Sequence, residues 1–226
     1  MGGCGLTVNM ARAQPGKRIA ILASGRGSNA LSLIEACRAG LIKGEVVLLA
    51  SNRPTAPALE LARAAGIATL SEDSRGRPDR RAWDLAFLDR VATHQPDLIV
   101  LAGFMRRLHA DAVVPWYGHM VNIHPSLLPA YPGLDTHRRV LAAGDRQHGA
   151  SVHFVSAELD AGPVFAQCRI QIGKDDTADS LAQRLLPHEH RLLVTSVAHF
   201  MRGDIRLDGR SVLFRGQPLT APLAID

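Results

Sequence analysis

The chain has 226 residues, 46% hydrophobic and 21% charged, which supports one large domain or two small ones with ample core and argues against wholesale disorder. No apolar run approaches the roughly 20 residues of a membrane span, so no membrane partner is expected. The formal charge is +5, but the basic residues are scattered, aromatics are only 4%, and no stacking platform or basic stripe suggests nucleic acid; a modest positive field suits small anionic substrates.

The opening "MGGCGLTVNMARAQPGKR" lacks the long apolar core and small-residue cleavage site of a secretory signal. Residues 1–16 therefore read as a flexible extension, and a cytoplasmic setting is expected. "RIAILAS" (Arg18 to Ser24) is a short apolar run suited to a buried parallel strand. From Asn29 a helix carries Ala30, Ile34, Cys37 and Leu41 on one stripe. "EVVLLAS" is a second strand, "APALELARAAG" a helix closed by Gly66, and "IATLS" a short third strand. "DRRAWDLAFLDRVATHQ" is helical, with Trp83, Phe87 and Val91 spaced by four as core residues, and it halts before Pro96. "DLIVLAG" is the most strand-like run in the protein.

The next stretch, "GHMVNIHPSLLPAYPG" (Gly118 to Gly133), begins like a buried strand and ends in a proline-rich loop. Side chains alternate along a strand, so Asn122 and His124 share one face while Val121 and Ile123 share the other. Pro125 biases His124 toward extended backbone and stops the pairing there. An amide donor and an imidazole at a strand end form a site-like pair, though two satisfied polar residues at a sheet margin would read the same. A helix follows near Thr136 to Ala143, then strands at "ASVHFV" and "PVFAQCRIQI". A long helix from about Thr177 to Arg202 is interrupted by Pro187, which predicts a kink or break. "IRLDGRSVLFRGQPL" reads as a hairpin turning at Asp208-Gly209.

This order predicts an α/β fold: a doubly wound, mostly parallel central sheet with a more antiparallel C-terminal part, in one domain over residues 17–226. Cys4, Cys37 and Cys168 are odd in number and far apart, which indicates neither a disulfide framework nor a thiolate metal site. His188-Glu189-His190 has zinc-ligand residue types, but helical neighbours one or two apart do not converge. No metal is expected.

"SGRGSNA" (Ser24 to Ala30) joins the first strand to the first helix and fits a loosened Gly-x-Gly-x-x-Ala fingerprint. Such a loop lets backbone N–H groups at a helix N-terminus approach an anion, and Ser28 and Asn29 add donors. The second strand ends "LLASNRP" without an acidic residue for a ribose hydroxyl; Arg53 leaves NADP open. Asp160, in the turn "LDAGP", is either a local backbone cap or a partner for the Asn/His pair. A carboxylate beside an imidazole stabilises the charged ring and fixes its orientation, and an amide donates to a developing oxyanion. No Gly-x-Ser-x-Gly elbow or cysteine nucleophile accompanies the three, so the set suits acyl transfer in which the substrate itself is the nucleophile.

"ILASGRGSN", "VLAGFMRRL", "VNIHPSLLPAYPGLDTH", "HGASVHFVSAELDAGPV" and "PHEHRLL", in this order and spacing, resemble the glycinamide ribonucleotide formyltransferases, folate-dependent enzymes of purine synthesis. The resemblance runs from about Arg18 to the C-terminus. It implies a Rossmann-like formyltransferase domain with a phosphate-binding half at about 17–116 and a folate and catalytic half at about 117–226. It implies catalytic roles for Asn122, His124 and Asp160, phosphate binding by Gly27, Ser28 and Asn29, and a glycinamide contact at Glu189. The folate pocket would then be formed by Arg80, Met105, Arg106, Arg107 and Leu108 with Asn122, Glu158, Leu159 and Asp160. 10-Formyltetrahydrofolate is the implied co-substrate and the partners are small molecules; monomer and homodimer are both open. Asp135 departs from the family pattern, in which bacterial members have His ("GLHTH"), and Pro187 is unusual within the last helix. A formyltetrahydrofolate deformylase would share the trio, a methionyl-tRNA formyltransferase would share the His-Pro-Ser core, and a non-catalytic NADP-binding module would explain only the glycine loop.

Overall fold

The computed structural model describes residues 17–226; the extension expected over residues 1–16 lies outside them. Strand β1 (Lys17–Leu22) leads through the glycine loop into α1 (Ser28–Arg38), and β2 (Gly44–Ser51), α2 (Pro57–Ala64), β3 (Thr69–Ser71), α3 (Arg80–Ala92) and β4 (Leu98–Leu101) continue the alternation. A short helix α4 (Ala110–Val113) and a 3₁₀ turn precede β5 (Met120–His124). Then come α5 (Thr136–Ala143), β6 (Gln147–Phe154), β7 (Val164–Gln171) and the 25-residue α6 (Ala178–Arg202). The chain ends in β8 (Ile205–Asp208), β9 (Ser211–Phe214), β10 (Gln217–Pro218) and β11 (Leu223–Ala224).

Eight strands form one sheet in the order β11-β7-β6-β5-β4-β1-β2-β3, and β8, β9 and β10 form a separate antiparallel sheet. The strands from β1 to β5 run parallel, whereas β5–β6 and β6–β7 are antiparallel. From β1 the chain winds outward through β2 to β3, then returns to place β4 on the other side of β1. The winding therefore reverses between β1 and β4, and their carboxyl ends open a crevice of the kind in which doubly wound sheets bind ligands.

Period-two alternation divides the core between the two faces. Ile19 and Ile21 pack with residues of α1, α2 and α6, while Ala20 and Leu22 pack with Trp83, Phe87 and Val91 of α3. The same rule sends Val121 and Ile123 of β5 to the α1–α6 side, which leaves Asn122 and His124 on the side of Met120 and α3.

Three sequence expectations need correction. The first helix ends at Arg38, so Leu41 lies beyond it and is exposed. Helix α6 runs through Pro187 without a break. Its pyrrolidine removes the hydrogen bond to the carbonyl of Gln183, a residue on the exposed face of the helix. The sequence reading also missed α4 and the two-residue strands β10 and β11, which are too short to show a period. Among the described residues no helix is long and apolar enough to cross a membrane.

The β6–β7 pair has no room for a side chain at Gly149, where a Cβ would lie 2.0 Å from the Cys168 carbonyl oxygen. Gly149→Ala is expected to cost about 3 kcal/mol or more, read as a lowered urea midpoint with an unchanged slope.

Candidate active site

The carboxyl ends of β1, β4 and β5 surround a cavity of about 780 Å³. Asn29 beside Glu189 forms one part of its wall, Met105 to Leu108 and Glu158 and Leu159 another, and Asn122, His124 and Asp160 a third. Gly27 and Ser28 are not part of this wall, although they position Asn29. Gly27 takes φ +83° and opens α1. A Cβ there would approach the Ala58 Cβ to 2.6 Å, so both backbone and space require glycine.

His124 is buried, with its Nε2–H donating to the Tyr131 carbonyl at 2.9 Å. That bond fixes the ring and leaves Nδ1 facing Asp160 Oδ2 at 3.4 Å. The turn expected at Asp160 is a left-handed one, with φ +49°, a region that Asp tolerates better than most residues. Its Oδ2 also accepts the Gly133 N–H at 2.8 Å, and its Oδ1 lies 3.5 Å from Asn122 Nδ2. Three segments distant in sequence thus meet around one carboxylate.

The sequence reading missed a fourth member. His153 stands directly across the β5–β6 ladder from Asn122 and is almost wholly buried. Its Nδ1–H donates to the Phe154 carbonyl at 2.9 Å, and its Nε2 accepts from Asn122 Nδ2 at 3.1 Å. Burial holds His153 below the usual imidazole range, which keeps it neutral as that acceptance requires. One amide hydrogen of Asn122 is thereby committed, and the other is held only by the long 3.5 Å contact to Asp160 Oδ1 on the cavity wall. Ser151, opposite His124, takes the Leu128 N–H at 3.0 Å and donates to the Ser126 carbonyl at 2.7 Å. Gln167 adds bonds to Ser151 Oγ and to the Leu128 carbonyl, both at 2.9 Å. This buried set holds the loop that carries Tyr131 back to His124. Its signal was available: alternate residues of "ASVHFV" on a strand antiparallel to "VNIH" face the same way.

At the other end, Arg106 lies over the Trp83 ring at 4.5 Å and pairs with the buried Asp84, Nε to Oδ1 2.6 Å. Asp84 also accepts the His109 N–H at 2.8 Å. Arg106 therefore stiffens the 105–108 wall rather than offering a free cation. Arg80 does not line the cavity; it stands exposed outside, donating to the Arg107 carbonyl at 3.1 Å. Met105, Leu134 and Leu159 rim the opening with exposed apolar surface. Asp135 is exposed and pairs with Arg138 at 2.7 Å.

Asn29 Nδ2 donates to Glu189 Oε2 at 3.1 Å, while Asn29 Oδ1 is buried without a partner. Burial raises the Glu189 carboxyl above its ordinary range, with the Asn29 bond opposing. Behind His124, His137 Nδ1 and His148 Nε2 are 3.0 Å apart; burial, then the neighbouring His137, pushes His148 down to about 4. Among the described residues no group of His, Cys, Asp and Glu is placed to hold a metal ion.

An amide, an imidazole and a carboxylate gathered on the wall of one cavity, with the first turn of α1 on the same wall, is an arrangement for acyl transfer to an anionic acceptor. The formyl transferase family profile matches residues 17–197. Phosphoribosylglycinamide formyltransferase of Escherichia coli (strain K12) is 41% identical over 201 residues, spanning 89% of this chain and 95% of that protein. The chain belongs to the phosphoribosylglycinamide formyltransferase family. A protein of that name from Mycobacterium tuberculosis (strain ATCC 25618 / H37Rv) is 38% identical over 194 residues, 86% of this chain and 89% of the relative. A phosphoribosylglycinamide formyltransferase structure from Coxiella burnetii superposes with a TM-score of 0.89 at 38% identity, covering 94% of this chain and all of that one (100%).

Glu189 carries a stability cost, since most of its carboxylate is withdrawn from water with the Asn29 amide as its hydrogen-bond partner. A carboxyl whose folded pKa is raised loses stability for the protein as pH climbs above its unfolded value of about 4.3. Glu189→Gln is therefore expected to raise the melting temperature near pH 7.5 and leave it unchanged near pH 4. Thermal unfolding of both proteins at the two pH values checks this.

Proposed function

We propose that the chain transfers the formyl group of 10-formyltetrahydrofolate to the amine of N1-(5-phosphoribosyl)glycinamide, with Asn122, His124 and Asp160 at the reacting carbon. The observation that carries this reading is the convergence of those three side chains around the Asp160 carboxylate on the wall of a cavity of about 780 Å³. The acceptor's phosphate lies at the start of α1, near Gly27, Ser28 and Asn29, and its amine is directed by Glu189. The folate lies along Met105 to Leu108, under the loop of Glu158 and Leu159. Arg80 acts, if at all, only beyond the mouth of the cleft.

10-Formyltetrahydrofolate supplies the formyl carbon that the acceptor amine attacks. The Asn122 Nδ2 hydrogen and the His124 Nδ1 hydrogen that face Asp160 at the long distances of 3.5 and 3.4 Å turn to the oxygen as it becomes an oxyanion. Asp160 holds the charged ring and, through water, relays the proton lost by the amine to folate N10. The carbon–N10 bond then breaks, leaving the formylated amine and tetrahydrofolate. His153 and the Tyr131 carbonyl fix the two donors before substrate arrives, so little reorganisation accompanies the charge.

Loss of one oxyanion donor typically lowers turnover ~10²–10³-fold. Asn122→Ala and His124→Ala are each expected to fall in this range while keeping the wild-type circular dichroism spectrum. Wild-type turnover in either variant would remove it from the assignment. Incubation of the protein with 10-formyltetrahydrofolate alone and with the ribonucleotide tests the reaction itself. Tetrahydrofolate formation that needs the acceptor supports the transferase; formation that proceeds equally without it marks a hydrolase.

A further inference from the structure

Arg53 is an exposed arginine on the wall of the same cavity as Asn29 and Glu189. Among the described residues its guanidinium has no hydrogen-bond or ion-pair partner. Its backbone is held instead: the N–H donates to Ser51 Oγ at 3.1 Å and the carbonyl accepts from Ala56 N at 3.0 Å.

The segment carrying Arg53 runs beside the glycine loop. Ala23 N donates to the Ala50 carbonyl at 3.0 Å, and Ala58 N donates to the Gly25 carbonyl at 3.1 Å. Between them Ser24 Oγ donates to Asn52 Oδ1 at 2.5 Å, a buried bond one residue from Arg53. Gly27 packs so closely on Ala58 that no Cβ fits. The position of Arg53 relative to the loop is thus fixed by buried contacts on both sides of it.

The charge at this end of the cleft demands a cation. The first turn of α1 is Ser28-Asn29-Ala30, with no charged side chain, and Glu189 adds a carboxylate beside Asn29. Backbone N–H groups alone leave a phosphate facing that carboxylate without a counter-charge. The other cavity-lining arginines serve elsewhere: Arg106 is held by Asp84, and Arg107 lies with the 105–108 wall beyond β4. Arg26 belongs to the glycine loop but does not line the cavity.

We propose that Arg53 supplies the cationic contact to the phosphate of the acceptor and thereby sets the preference for a phosphorylated over an unphosphorylated one. This rests on the formyl-transfer reading of the site. A charge-assisted contact of this kind changes affinity roughly ten- to a hundredfold.

The test compares N1-(5-phosphoribosyl)glycinamide with its dephosphorylated riboside as acceptors for the full chain and its variants. Arg53→Gln is expected to raise KM for the phosphorylated acceptor about ten- to a hundredfold, more than it changes kcat, and to shrink the preference between the acceptors by the same factor. Arg53→Lys is expected to restore part of it, and Arg26→Gln to leave it intact. Calorimetric titration with ribose 5-phosphate gives the same ordering without turnover, weaker in Arg53→Gln than in wild type. An unchanged KM and titration, an equal loss on both acceptors, or a loss found in Arg26→Gln instead would overturn the assignment. Should the wild-type protein fail to formylate the ribonucleotide, the transfer reading falls, and the titration still decides whether Arg53 holds phosphate.

Discussion

Strand β5 pairs parallel with β4 on one edge and antiparallel with β6 on the other, and the whole candidate site hangs on that change of direction. The parallel side sets the carboxyl end of β5 level with those of β1 and β4, so Asn122 and His124 emerge where the other ligand-facing loops emerge. The antiparallel side brings β6 back past the same residues, placing His153 opposite Asn122 and Ser151 opposite His124. It then releases the chain at Phe154, six residues before Asp160, on the side where the trio closes. A uniformly parallel sheet would send that segment out through a crossover helix and leave the imidazole without its carboxylate.

Around this strand the chain takes locally costly backbone conformations. Tyr131, Asp135 and Asp160 all take positive φ outside glycine, conformations that L side chains adopt at a cost of order 1–3 kcal/mol. Each has an identifiable consequence. Tyr131 turns its carbonyl onto His124, Asp135 opens α5 beside the cavity, and Asp160 points its carboxylate inward while Gly133 N–H holds it. Ser151 and Gln167 make such a loop tenable, because they satisfy buried backbone groups that its tight path leaves unpaired.

Much of this was legible beforehand, and the reasons differ by element. The doubly wound order, the α3 core stripe of Trp83, Phe87 and Val91, and the β8–β9 turn at Gly209 follow from periodicity and turn chemistry, which are local. Asn122 and His124 sharing a face follows from alternation alone. That Asp160 joins them is a long-range statement; motif resemblance suggested it, and no local pattern contains it. His153, Ser151 and Gln167 were overlooked because each is unremarkable in its own strand and gains meaning only from the β5–β6–β7 register. For Pro187 a local rule foretells a kink or a break, but the amphipathic burial of α6 against the sheet keeps the helix continuous despite one lost hydrogen bond at the exposed Gln183. Arg106, grouped by sequence with the folate wall, proves to be held by a buried carboxylate that sequence spacing cannot pair with it.

Asp160 also explains why one residue links the two halves of the cleft. Its Oδ2 is shared between the Gly133 amide and the His124 ring, and its Oδ1 faces Asn122 Nδ2 at 3.5 Å. Glu158 and Leu159, immediately before it, line the part of the cleft assigned to folate. A ligand that pulls this loop inward must therefore move the carboxylate with it, and the carboxylate bears on Asn122 and His124 at once. On the proposed reading, occupation of the folate end and alignment of the catalytic groups are a single event, since the distance from Leu159 to Asp160 is one peptide unit and leaves no slack between them.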